Sequence, residues 1–234
     1  MTKQVIIAAG GLGTRMPNHL NGKKSKCLME YGGQTMLGHL LDELRKGGID
    51  RYVVSAGAHN YPQIRNIVRS KPIDAVTITA SEIGFRRVPY YAQDLLDDQF
   101  LFVCGHQPMH PQFITKMAEA STNSSLVITS YDNIEFPMTK ERRLIVSNEG
   151  PKIRSVKSHQ IPVNHSYVRN PYVLDKEILK RAEKNAFAHT FSYYLYLAWL
   201  DGVPLKIVKA LMPPEFDYDF EYEKTQGFLD SLAA

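Results

Sequence analysis

Only two cysteines, Cys27 and Cys104, and one tryptophan occur in the 234 residues. The cysteines lie far apart with no metal-ligand spacing, so neither a disulfide framework nor a zinc site is encoded, and both read as reduced thiols. Redox chemistry is not expected. Long apolar runs are also missing: no segment approaches the eighteen or so residues of a membrane span, and none is expected. Charge of one sign is scarce as well. The formal balance is +4, and the basic residues are scattered except at Lys23-Lys24-Ser25-Lys26 and Arg86-Arg87, so nucleic acid is not implied. The first apolar stretch, Val5 to Ala9, is short and runs into glycines, unlike a secretory signal peptide. A cytoplasmic location is the corresponding expectation.

What is present is an ordinary globular composition, 44% hydrophobic and 22% charged, in a length that suits one domain over residues 1–234. Strand and helix signals alternate. Strands are expected at Lys3 to Ala8, Tyr52 to Ala56, Ala75 to Ala80 and Phe100 to Cys104, with helices at Met36 to Lys46, Tyr61 to Arg69 and Val88 to Leu96 between them. Pro111 to Ala120 reads as a further helix and Leu126 to Ser130 as a further strand. Short extended runs around Leu144 to Val146 and Ile153 to Val156 look like an inserted hairpin. Tyr167 to Leu174 is extended, Lys176 to Lys184 and Phe191 to Leu200 are helical, Leu205 to Lys209 is a strand, and Glu221 to Leu232 is a helix. The pattern predicts a three-layer α/β/α fold on a mostly parallel, Rossmann-like sheet with a small inserted β-hairpin. In such sheets ligands gather beyond the carboxyl ends of the strands. That directs attention to the loop after the first strand, the loop after Cys104 and the stretch from Phe216 to Glu223.

The first of these is Ala8-Ala9-Gly10-Gly11-Leu12-Gly13-Thr14-Arg15-Met16. Three glycines leaving a strand expose backbone N–H groups to an anion, so the loop reads as a phosphate cradle or, more blandly, as a tight turn. A P-loop is excluded because no lysine follows Gly13. A dinucleotide-binding fingerprint is excluded because Met16 stands where a third small residue is required. The run, together with Ser25-Lys26-Cys27-Leu28-Met29-Glu30-Tyr31-Gly32-Gly33-Gln34-Thr35, resembles the signature of the sugar-phosphate nucleotidyltransferase family, whose fold is that of the nucleotide-diphospho-sugar transferases. The family usually has proline beside this lysine, whereas Ser25 and Cys27 flank it here. The resemblance implies that Arg15 grips the departing pyrophosphate and Lys26 the phosphates, with Lys23 and Lys24 as neighbouring candidates for the second role. Ala8, Ala9, Gly10, Gly11, Gly13 and Thr14 would face the base and triphosphate. Fixed cations and N–H dipoles are what such a reaction needs, because charge develops on the phosphate oxygens and the pyrophosphate.

The same resemblance implies a magnesium ion held by two aspartates. One is matched by Asp219, in Phe216-Asp217-Tyr218-Asp219-Phe220-Glu221-Tyr222-Glu223. At the other position, Phe102-Val103-Cys104-Gly105-His106-Gln107 carries histidine. Imidazole suits manganese, zinc or another transition metal better than magnesium. Three readings of His106 follow: a ligand of a softer metal, a hydrogen-bond partner of a phosphate while Asp219 holds magnesium, or the mark of a protein that binds nucleotides without turnover. His110 reads as a helix-start residue.

On the acceptor side, Ser81-Glu82-Ile83-Gly84-Phe85-Arg86-Arg87-Val88 resembles the family's base-contacting segment, giving Gly84 a place at the nucleotide. Arg86 and Arg87 stand where the family commonly has small residues, and read either as an acceptor-phosphate site, since guanidinium forks match phosphate oxygens, or as a solvated helix start. Lys157 and Asn170 fall near the family's sugar-facing positions. The implied activity moves a nucleoside monophosphate from a triphosphate to a phosphorylated acceptor, such as a sugar 1-phosphate or phosphocholine, and releases pyrophosphate. The alternatives are a catalytically inactive nucleotide-binding homologue and a related glycosyltransferase, for which Asp217-Tyr218-Asp219 gives a superficial match.

Overall fold

The computed structural model describes residues 2–13, 25–79, 88–121, 126–131, 142–147, 150–155, 166–182, 202–203, 205–209, 227 and 230. Its centre is β1 (Gln4–Ala8), whose Val5, Ile6 and Ile7 are completely buried. A strand covered on both faces reads as an unbroken apolar run rather than an alternation, which is how this segment reads. Strand β2 (Glu30–Tyr31) and β3 (Gln34–Thr35) form a separate hairpin, and β4 (Arg51–Ala56), β5 (Asp74–Thr79) and β6 (Gln99–Cys104) return to the main sheet. Then come β7 (Leu126–Tyr131), β8 (Arg142–Ser147), β9 (Gly150–Ser155), β10 (Ser166–Asp175) and β11 (Leu205–Lys209).

Among the described residues the main sheet has the order β11-β7-β10-β6-β1-β4-β5, with the β8–β9 hairpin attached through β10. Strands β6, β1, β4 and β5 are parallel neighbours, as are β7 and β11. Strand β10 runs antiparallel to β6 on one side and β7 on the other. The mostly parallel sheet and inserted hairpin expected from the sequence are therefore both present.

Helices cover both faces. On one side α1 (Met36–Lys46), α2 (Tyr61–Arg69) and α4 (Pro111–Ala120) pack Leu37, Leu40, Leu41, Leu44, Ile64, Ile114 and Met117 against Val5, Ile7, Val54 and Val103. On the other, α3 (Val88–Tyr91) and α5 (Lys176–Ala182) bring Val88, Ile178 and Leu179 to Ile6, Val53, Phe100 and Phe102. Alternate residues of each strand thus feed opposite layers.

Local signals set the ends of these helices. Thr35 precedes α1 and its Oγ1 accepts from the Gly38 N–H at 3.1 Å, while Gly47-Gly48 ends the helix with Gly48 at φ 89°. Such an end favours glycine. Pro62 and Pro111 occupy first-turn positions of α2 and α4, where a missing N–H is tolerated. His110 is the N-cap of α4, its Nδ1 accepting from the Gln112 N–H at 3.2 Å, which is the helix-start role read from the sequence.

One expected helix is shorter than its pattern. Val88 to Leu96 forms a single α-turn, then a 3₁₀ turn at Gln93–Leu95. The bonding switches from Ala92 N–H to Val88 O, four residues back, to Leu95 N–H to Ala92 O, three back. Pro89 and the aromatic pair Tyr90-Tyr91 supply little helix propensity there. The expected helices at Phe191 to Leu200 and Glu221 to Leu232 lie outside the described residues, apart from Gly227 and Asp230, which are helical.

Candidate nucleotide site

The parallel register aligns three strand ends. Ala8 of β1 pairs with Ser55 of β4 on one side and with Cys104 of β6 on the other. The chain leaving β1 is held from both directions: the Gly105 N–H donates to the Ala8 carbonyl at 2.9 Å, and the Ala9 N–H donates to the Ser55 carbonyl at 2.7 Å. Gly10, Gly11, Leu12 and Gly13 then run out from the sheet, with Gly13 at φ 70°, a conformation open to glycine. Leu12 is 60% exposed.

Lys26 arrives at this end of the sheet on a 3₁₀ turn, Lys26–Leu28, too short to leave a periodic signal in the sequence. Its carbonyl accepts from the Met29 N–H, and Leu28 packs into the core beneath α1. Lys26 itself is only 5% exposed. Burial of a lysine is costly unless the ammonium meets polar or anionic partners, so this cation is held in place by its surroundings rather than waving in solvent. Next to it, the Cys27 Sγ fills the space beside Gly105: a Cβ built on Gly105 would lie 3.0 Å from that sulphur and 3.0 Å from the Ala9 Cβ. Ala9, Gly105 and the lysine-bearing turn are therefore in direct van der Waals packing. Burial pushes the Cys27 thiol up to about 11, only partly opposed by Ser25 and by the Lys26 charge.

The segment after Lys26 is pinned in turn. Gly32 and Gly33 at φ 54° and 79° make the two-residue turn between β2 and β3, the form that matches strand twist. The Met36 N–H closes the base of the hairpin on the Met29 carbonyl at 2.8 Å. His39 Nε2 lies 2.9 Å from the Tyr31 carbonyl, and the Tyr31 hydroxyl donates to the Asp230 carboxylate. That last bond ties the hairpin to a C-terminal residue far away in sequence.

His106 follows Gly105 in a tight turn in which the Gln107 N–H donates to the Cys104 carbonyl at 3.1 Å, and it is half-buried beside the strand ends. Among the described residues no three His, Cys, Asp or Glu side chains gather where they could hold a metal. Asp219, the other expected ligand, lies outside the described residues. Arg15, Thr14, Gly84, Arg86 and Lys157 also lie outside them. For Asn170 only the backbone is described. It falls in β10, where Pro171, which has no N–H to give, accompanies a break in register between Arg169 and Tyr172. The β10–β6 register pairs Tyr172 with Phe102. That is the last β10–β6 pair, so Asn170 lies within the irregular stretch that follows it.

Residues 5–186 match the MobA-like NTP transferase domain. The chain belongs to this family. As an NTP transferase it is a nucleotidyltransferase by type, and the matched residues include the first-strand loop and the buried Lys26. A curated relative, the bifunctional protein GlmU of Staphylococcus epidermidis, is 28% identical over 140 residues, which are 57% of this chain and 30% of that protein. The chain thus spans about a third of the length of this relative. In three dimensions the NTP transferase fold here is similar to that of the inositol-1-phosphate CTP transferase from T. maritima, with a TM-score of 0.80, 15% identity and coverage of 99% of this chain and 96% of that one. It is also similar to a UTP-bound UGPase from Acinetobacter baumannii, with a TM-score of 0.74, 13% identity and coverage of 98% and 93%. At these identities the likeness is one of fold.

Proposed function

We propose that this NTP transferase, acting as a single domain over residues 1–234, moves a nucleoside monophosphate from a nucleoside triphosphate to a phosphorylated acceptor of the sugar 1-phosphate class. An acceptor phosphate oxygen attacks the α-phosphorus, the bond from that phosphorus to the bridging oxygen breaks, and pyrophosphate leaves with the electron pair. The observation that carries the reading is the buried Lys26, fixed on its 3₁₀ turn beside the glycine loop at the aligned ends of β1, β4 and β6. A preset cation and the backbone N–H groups of a glycine loop stabilise developing phosphate charge without reorganising during the step. The names of the structural neighbours, an inositol-1-phosphate CTP transferase and a UTP-bound UGPase, support a sugar- or polyol-phosphate acceptor.

In this reading Arg15 and Lys26 hold the phosphates and the leaving pyrophosphate, while Ala8, Ala9, Gly10, Gly11, Gly13, Thr14 and Gly84 surround the nucleotide. Arg86, Lys157 and Asn170 face the acceptor. A divalent ion, where one is used, falls to Asp219 and His106 and would neutralise phosphate charge. The nitrogen donor of His106 favours manganese over magnesium for that place.

Pyrophosphate release from each of the four common nucleoside triphosphates, with pooled sugar 1-phosphates and phosphocholine under magnesium and then manganese, tests this. We expect release with one preferred base, falling by about two to three orders of magnitude in Lys26→Ala or Arg15→Ala. Nucleotide binding without release under any of these conditions would overturn the proposed transfer for these acceptors. Release of free sugar from a nucleotide sugar, without pyrophosphate chemistry, would favour a glycosyltransferase.

A further inference from the structure

The glycine loop is fastened to the neighbouring strand's loop by one buried side chain that the family signature does not include. Asn60 is fully buried between β4 and α2. Its Oδ1 accepts from the Gly57 N–H at 2.8 Å, and its Nδ2 donates to the Ala9 carbonyl at 2.9 Å, bridging 51 positions of sequence. Both partners are main-chain groups of fixed sense, so the amide orientation is set by them. The two loops are also in steric contact. A Cβ on Gly57 would lie 3.0 Å from the Gly10 carbonyl oxygen and 2.5 Å from His59 Cε1, and a Cβ on Gly10 would lie 3.0 Å from the Gly57 nitrogen.

Asparagine before a helix usually spends its side-chain oxygen on the helix's own N–H groups. Asn60 is the N-cap of α2, yet its side chain caps none of them. The oxygen is diverted to Gly57 and the amide to Ala9, the last residue before the glycines. Aspartate or serine would serve the helix end as well or better, but ionised aspartate has no donor for the Ala9 carbonyl, and serine carries its donor and acceptor on one oxygen on a shorter side chain, so neither reproduces the two-atom span of this bridge.

We propose that Asn60 is a positioning residue for the nucleotide: by fixing the Ala9 carbonyl it sets the direction in which the Gly10–Gly13 backbone leaves β1, and through that the affinity for the triphosphate. The inference rests on the reading of that loop as the nucleotide cradle. The Lys26–Leu28 turn packs on the Gly105 side through Cys27, and Asn60 holds the Gly57 side, so the end of β1 is flanked from both directions.

The test compares full-length wild type with Asn60→Asp, Asn60→Ser, Asn60→Ala and, as a control, Tyr52→Phe. Tyr52 is buried in β4, and its hydroxyl donates to the Ile49 carbonyl at 2.8 Å at the other end of the sheet. Three quantities are read: thermal midpoint, dissociation constants for the four nucleoside triphosphates by titration calorimetry, and 15N relaxation of the Gly10–Gly13 amides without nucleotide. We expect all three Asn60 variants to bind the preferred triphosphate about tenfold or more weakly, the scale of one or two lost hydrogen bonds, with increased loop mobility. Asn60→Asp and Asn60→Ser should do so even where their thermal midpoints stay near wild type. Tyr52→Phe should lower the midpoint while leaving affinity and loop mobility unchanged. The proposal is overturned if Asn60→Asp or Asn60→Ser binds like wild type, or if weaker binding only tracks the thermal midpoint in every variant. If wild type binds no triphosphate, the transferase reading and the nucleotide role of Asn60 fall together. If wild type binds and the Asn60 variants bind equally well, only the role of Asn60 falls.

Discussion

At the scale of single residues, burial decides chemistry. With its thiol pushed up to about 11, Cys27 carries almost no thiolate at neutral pH and sits in a packed gap beside Gly105. Cys104 is buried as well. We expect neither to react with a thiol reagent at pH 8 in the native protein, and both to react after unfolding in urea. A fast-reacting equivalent in the native state would contradict this packing. Asp42 shows the opposite sign. Burial pushes its carboxyl up, but Lys71 at 2.6 Å and the Gln34 amide at 2.9 Å outweigh burial and hold it below the ordinary carboxylate value. Its contribution to stability is therefore complete above the unfolded value of about 3.9 and is lost as pH falls through the lower folded value. Urea unfolding at pH 7 and pH 3 should show a smaller difference in Lys71→Met than in wild type. Residue-level legibility was uneven. The glycine loop and Lys26 stand out in the sequence because each lies in a short local motif, and the fold brings the lysine-bearing turn to the end of β1. Asn60 could not, since its importance lies in a bond to Ala9 that only the folded sheet creates.

At the scale of elements, the ends of α1, α2 and α4 fall where the sequence placed them because each carries its own stop and start signals: Thr35 and Gly47-Gly48, Pro62, and His110-Pro111. Thr35→Ala removes the Oγ1 acceptor for the Gly38 N–H and should lower stability by about 1 kcal/mol, measured by denaturant unfolding. Gly33→Val forces a β-branched residue to φ 79° in the turn that carries the chain from the lysine-bearing segment into α1. A cost of about 1–2 kcal/mol is expected, and a variant as stable as wild type would argue against this turn. The direction of β10 was not legible, because an extended pattern has the same period in either sense and only the sheet order determines how it runs. The 3₁₀ turn at Lys26–Leu28 escaped for a different reason: three residues give no periodicity to detect.

At the scale of the whole molecule, the three-layer arrangement was legible from alternation alone, and it places the first loop, the Cys104 loop and the register break of β10 at one end of the sheet. A ligand bound there touches several elements of the cooperative core and should stabilise the entire fold. At a nucleotide concentration of about one hundred times its dissociation constant, the gain is about 2.7 kcal/mol, or roughly 5–10 °C in thermal midpoint for a chain of this size. The preferred triphosphate should give the largest rise in a thermal scan of all four. Equal, negligible shifts for all of them would count against a nucleotide site at this end.

The contact between position 105 and position 27 has an evolutionary corollary. A side chain at 105 would press tightly on both the Cys27 sulphur and Ala9, at 3.0 Å from each, and Ala9 is itself locked between β4 and β6. Of the two neighbours, only the one at 27 sits on a short turn that can exchange its residue without breaking the sheet. Homologues with alanine at 105 should therefore carry glycine or alanine at 27, and homologues that keep glycine at 105 are free to vary there. The two positions should change as a pair although 78 residues separate them along the chain.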